Sequence, residues 1–131
     1  MPYIEQGERD FAFWFEMGEQ KAILDRASRI AQHFNRAPMV LSFYPTGAGE
    51  IPSVPLGLEE NELVNLEAFK QAENGNGYIV RLFNPTGEEQ RAVLRFGDVK
   101  KEVVFGKYEI KTLRCTENSV EEDKLMEHIL D

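Results

Sequence analysis

Two histidines, one cysteine and 23 acidic side chains are the residues of this chain whose types suit chemistry. A hydrolytic metal site needs several ligands brought close together, and His33 and His128 stand in neither an H-x-x-x-H nor an H-x-H spacing. His33 borders a helical stripe and His128 lies in an acidic tail, so both read as structural or solvated. Cys115 ends an alternating strand, where a buried thiol behaves as a small hydrophobe. As the sole cysteine it excludes an intramolecular disulfide. No Gly-x-Ser-x-Gly elbow or phosphate loop occurs, and Gly47-Ala48-Gly49 lacks the strand–loop–helix setting of a glycine-rich cradle. A retaining glycosidase needs two carboxylates about 5–5.5 Å apart in a cleft. The acids here mostly alternate with apolar residues, and no pair is singled out. The sequence therefore offers no catalytic, cofactor-binding or metal-ligating residue.

Aromatic side chains remain. Trp14 and Tyr78, with Tyr44 and Tyr108 behind them, have rings that stack on sugars. In an alternating strand such rings more often serve a core or an interface. Trp14 and Tyr78 are accordingly the two candidates for a sugar contact or a domain contact.

These residues must be held by folded elements, and an apolar share of 42% with nine phenylalanines is enough for a core. The net charge of −8 argues against nucleic acid and against anionic membrane surfaces, both of which call for basic patches. A neutral ligand such as a sugar is compatible with it. No stretch has the order of a signal peptide or the length of a membrane span, which points to a cytoplasmic protein.

Arg9 to Met17 reads as a strand, with Phe11, Phe13, Phe15 and Met17 on one face and Trp14 on the other. From Glu19 to Asn35 the period becomes helical. Ile23, Ala27, Ile30 and Phe34 form a stripe widened by Leu24 and Ala31, and Asn35 serves as the C-cap before Pro38. Met39 to Tyr44 is a short strand. Pro45 to Gly57, dense in Pro and Gly, reads as a linker. Strands follow at Leu63–Ala72, Tyr78–Phe83 and Arg91–Phe96, separated by the 73–77 turn cluster and by Asn84-Pro85-Thr86-Gly87. Lys101–Phe105 and Lys107–Cys115 are expected to pair around Gly106. The acidic tail reads as a short docking helix or a frayed end.

The fold class is thus mainly β with one α-helix. A small antiparallel, immunoglobulin-like β-sandwich is preceded by a strand–helix unit from a larger sandwich. The divisions fall at 1–44 for the strand–helix–strand unit, 45–57 for the linker, 58–115 for the sandwich and 116–131 for the tail.

The run Gly77-Tyr78-Ile79-Val80-Arg81-Leu82-Phe83-Asn84-Pro85-Thr86-Gly87-Glu88, then Ala92-Val93-Leu94-Arg95-Phe96 and Glu109-Ile110-Lys111-Thr112-Leu113-Arg114, resembles the C-terminal β domain of glycoside hydrolase family 38 α-mannosidases. Upstream, Gly7-Glu8-Arg9-Asp10-Phe11 is similar to the last strand of that family's large sandwich. The helix with Asn35 and Pro38 is similar to the segment that follows it there. The stretch Gly97–Lys107 is shorter than in the family, which implies a trimmed hairpin, and the tail has no counterpart. The resemblance implies a retaining α-mannosidase as parent. Its nucleophilic Asp, its acid partner and a divalent metal, zinc by expectation, sit in an N-terminal barrel that these residues do not include. This chain would then be an inactive scaffold whose partners are that barrel, a second copy in a homo-oligomer, or carbohydrate.

Overall fold

The computed structural model describes residues 7–36, 39–40, 42, 47 and 55–124. Gly18 ends an extended stretch, and helix α1 runs over Gln20–Asn35. Asn35 is its last helical residue rather than its cap. The Arg36 N–H closes the final turn by donating to the Gln32 carbonyl at 2.9 Å, and the Asn35 amide donates back to Ala31.

The expected strand over Arg9–Met17 is in no sheet among the described residues. Alternation gives a strand two faces, but its backbone also needs a neighbour to take up its N–H and C=O groups. No such neighbour lies beside it among the described residues. Phe15 and Met17 are almost wholly exposed, at 94% and 95%. Of the strand expected over Met39–Tyr44, the described residues Met39, Val40 and Ser42 are in no strand; its other residues, most of the 45–57 linker and the tail from 125 onward lie outside the described residues.

Seven strands follow: β1 Leu56–Glu59, β2 Asn65–Gln71, β3 Tyr78–Phe83, β4 Gln90–Phe96, β5 Val99–Phe105, β6 Ile110–Cys115 and β7 Val120–Asp123. They form two antiparallel sheets, β1-β4-β5 and β2-β3-β6-β7, packed face to face. Alternation decides which side chains meet between them. Val80 and Leu82 of β3, Leu113 and Cys115 of β6, Ala92 and Leu94 of β4, and Val103 and Phe105 of β5 make the core. Burying each large apolar side chain contributes about 1.5–3 kcal/mol.

Three sequence expectations change here. The expected boundary between linker and sandwich at 57/58 falls inside β1, whose Glu59 is held by Lys100 at 2.8 Å and Arg95 at 3.1 Å. Those bonds, the Lys100 one foremost, keep the Glu59 carboxyl below its ordinary range. The acidic tail contributes a strand and not a helix over residues 120–123. Its carboxylates find cations on the neighbouring sheet, Glu122 with Lys111 at 3.0 Å and Asp123 with Arg114 at 2.9 Å. Finally, β5 and β6 do not pair around Gly106. β5 pairs with β4 and β6 with β3, so the 106–109 turn crosses from one sheet to the other. β4 and β5 form a hairpin paired over seven residues through Gly97-Asp98, with Gly97 at φ +56°.

Asn84 holds two of the chain's crossings between the sheets, from β3 to β4 and from β5 to β6. Its side-chain nitrogen donates to the carbonyls of Glu88 and Gly106, each at 2.7 Å. Its oxygen accepts from the Thr86 N–H and hydroxyl at 2.9 and 2.8 Å. One buried amide thereby pins the turn leaving β3 and the turn leaving β5.

At the opposite end, Gly77 enters β3 with φ +83°, and a Cβ there would lie 2.4 Å from the Cys115 carbonyl oxygen. Gly77→Ala combines a left-handed backbone with a backbone clash. Its expected cost is about 2 kcal/mol or more, read as a lower urea midpoint at unchanged slope.

Candidate functional site

Helix α1 is attached to the sandwich by its polar side. The Ser28 hydroxyl accepts from the Asn65 amide at 2.6 Å, and the Gln32 amide donates to Glu67 at 2.7 Å. Arg29 pairs with Glu62 at 2.7 Å, and Lys21 reaches Glu88 at 3.3 Å. Glu67 lies at a register shift in β2, between Leu66 and Ala68. Such a bulge re-aims a side chain, and Glu67 here meets both Gln32 and Arg36.

Lys21, Asp25, Ser28, Arg29, Gln32 and Arg36 share one side of a 3.6-residue helix, so the stripe of Ile23, Ala27, Ile30 and Phe34 must face the other way. No residue of α1 is buried. The helix is amphipathic, as its periodicity requires, but its apolar side is turned away from the only core described.

That outward side is joined by the stretch before the helix. Trp14 stacks on Phe34 with ring centroids 4.2 Å apart and planes 11° from parallel. His33 meets the edge of Phe34 at 5.7 Å. The Glu16–Arg26 ion pair ties the stretch to the helix. Between them lies a groove of about 670 Å³ walled by Trp14, Phe15, Ile30 and Phe34. Phe11, Phe13, Met17 and Leu24, from the same stretch and helix, are exposed as well. A patch of that kind on a folded protein marks a contact surface.

Tyr78, the second candidate, lies at the far end of the sandwich and belongs to a different cluster. Its ring stacks on Phe69 at 5.3 Å and leans on Phe96 at 5.6 Å, so rings from β2, β3 and β4 meet there. The structure does not bring Trp14 and Tyr78 together. The contributions of Phe34 and Phe96 were invisible in the sequence, because each looked like one more inward residue of its own element.

The residues suited to chemistry stay apart. Among the described residues, no group of three or more His, Cys, Asp or Glu side chains could hold a metal ion. No helix among them is long and apolar enough to cross a membrane. Cys115 is buried in the core, and burial pushes its thiol up to about 11. The folded chain thus holds that proton more tightly than the unfolded chain, whose thiol titrates near its ordinary value of 9.0. Stability is expected to be full below pH 9 and to fall as pH climbs toward 11. In the same range, labelling by a disulfide reagent should be limited by unfolding, and equal rates for native and denatured protein would contradict the burial.

Residues 63–125 match the family model of the glycosyl hydrolases family 38 C-terminal beta sandwich domain. The matched segment covers β2 through β7, including the Asn84 turn, both sheet crossings and the aromatic end. Residues 63–125 are thus similar to a family 38 C-terminal sandwich domain. Neither the curated proteins nor the solved structures include a match to the chain. The match begins after β1, so β1, α1 and the Trp14–Phe34 face lie outside the matched segment.

Proposed function

We propose that this chain is the C-terminal, non-catalytic scaffold region of a retaining α-mannosidase, and that the Trp14–Phe34 face packs against the remainder of that enzyme. The observation that carries the reading is the orientation of α1. A helix bound by its polar side, with its apolar stripe outward, is incomplete as a folding unit, since most helical stability comes from burying that stripe. The family 38 match supports a mannosidase as the source of what covers it.

In this reading the chain performs no bond cleavage. The barrel supplies the nucleophile, the acid and the metal, and no described cluster here fits a metal. What this chain adds is a rigid β-sandwich with a bulge-anchored helix that presents aromatic side chains to the barrel side. Bracing of that kind fixes catalytic groups whose misplacement by a fraction of an ångström is costly in rate.

The 131-residue chain, purified alone, should release no nitrophenol from an aryl α-mannoside above the buffer rate. Saturable release by the chain itself would contradict the proposal.

A further inference from the structure

The aromatic end of the sandwich carries a second, separate site. Phe69, Tyr78 and Phe96 form a closed triangle, with Phe69 and Phe96 at 6.4 Å completing the other two contacts. Were this only a plug for the core, its rings would be expected to be covered. Tyr78 and Phe69 instead remain 43% and 42% exposed. Beside them is a hollow of about 400 Å³, bounded by Tyr78 and Phe96 on one side and by Asn76, Glu117 and Asn118 on the other. Two turns make its polar wall: the 73–77 turn before β3, and the 116–119 turn held by Thr116 and Ser119. Gly77, unable to accept a side chain, keeps the first turn against β6 and sets the depth of the hollow.

We infer that this hollow is a binding site for a single neutral pyranose ring. A pyranose has an apolar C–H face and a rim of hydroxyls, and the hollow offers both complements. The Tyr78 and Phe96 rings that border it supply an apolar platform, with Phe69 stacked behind Tyr78. The Tyr78 hydroxyl, the Glu117 carboxylate and the Asn118 amide form no hydrogen bond within the described residues, so they are available to a ligand. Planar carboxylate and amide groups can each take two neighbouring hydroxyls, the amide as donor and acceptor and the carboxylate as acceptor.

Other ligand classes fit less well. Anions meet Glu117 and a chain of net charge −8. An extended peptide that binds by strand addition needs a free sheet edge, and β3 is already paired on both sides, with β2 and β6. The inference does not depend on the mannosidase reading, because it uses neither α1 nor the barrel.

The test is an NMR titration of the 131-residue chain with the methyl pyranosides of mannose, glucose and galactose, with glycerol as a control for general hydroxyl effects. Saturable shifts are expected around residues 76–78 and 116–118 for at least one pyranoside, with Kd on the order of 1–10 mM. Tyr78→Ala and Asn118→Ala should each weaken binding about tenfold, while Trp14→Ala leaves it unchanged. Asn118 lies in an exposed turn, so its variant carries the test should Tyr78→Ala unfold the domain. Linear shifts matching those of glycerol, or saturable shifts that survive Asn118→Ala, would overturn the inference. Shifts centred on Trp14 would do the same, by moving sugar binding to the other candidate.

Discussion

Replacing Asn84 by alanine should lower the stability of the sandwich by about 3 kcal/mol or more, and replacing it by aspartate should lower it further. The side chain is fully buried and makes four hydrogen bonds, two as donor and two as acceptor. Alanine leaves the Gly106 carbonyl and the buried Thr86 N–H without this partner, and leaves the Glu88 carbonyl to the Thr86 hydroxyl alone. Each buried group so orphaned costs about 1–3 kcal/mol. Aspartate keeps the acceptors, but when ionised it faces two carbonyl oxygens with no proton to offer, and burial without a partner penalises its charge. The change also loosens both sheet crossings at once, so no local rearrangement restores one without the other. Thermal unfolding should register a fall of about 10 °C or more for alanine. A loss below about 1 kcal/mol would mean that the crossings are held by something else.

The second large effect falls on association and spares the fold. Phe34→Asp places a charge at the centre of the outward face, where Phe34 stacks on Trp14. Phe34 touches no buried core residue of the sandwich, so unfolding of the β domain should move by less than about 0.5 kcal/mol. Binding to the catalytic barrel, supplied as a separate polypeptide, should weaken by about 2–4 kcal/mol, roughly 30- to 1,000-fold, as expected for an aromatic anchor at an interface centre. Leu82→Ala has the opposite signature. Leu82 is wholly buried between the sheets, and its truncation should cost about 2–5 kcal/mol of stability. Equal loss of stability in both variants would place the helix face inside this domain's own core.

Much of the sandwich was readable because its strands alternate and are bounded by turn residues. Tyr78–Phe83 is an example, closed on both sides by Gly, Asn and Pro and recovered with its limits intact. The helix was readable from its period for the same reason. What stayed hidden depended on partners distant in sequence. β7 has one apolar residue followed by three acids, and only Lys111 and Arg114 on the adjacent strand make that a strand. β1 carries too little pattern to stand out from a Pro- and Gly-rich stretch. The parting of β5 from β6 depends on Asn84, which reaches Gly106 from another strand's turn.

The candidate site divided in the same way. Trp14 and Tyr78 were legible as aromatic residues lacking an obvious core role, yet their neighbours were not. Phe34 is brought to Trp14 by the Gly18 break and the Glu16–Arg26 pair. Phe96 reaches Tyr78 only because the two sheets stack. Periodicity also gave α1 an apolar side without saying which way it would face. That direction is set by the bulge at Glu67, by Asn65 and by Glu62, which capture the polar side.

Trp14 is the sole tryptophan of the chain, so its fluorescence reports on the outward face without interference. At 67% exposure it should emit like a solvated indole in the isolated protein and be quenched freely by acrylamide. Adding the catalytic barrel should shift the emission to the blue and suppress quenching severalfold, in proportion to complex formed. Unchanged emission and quenching in a mixture that has demonstrably associated would contradict the assignment of this face to the barrel.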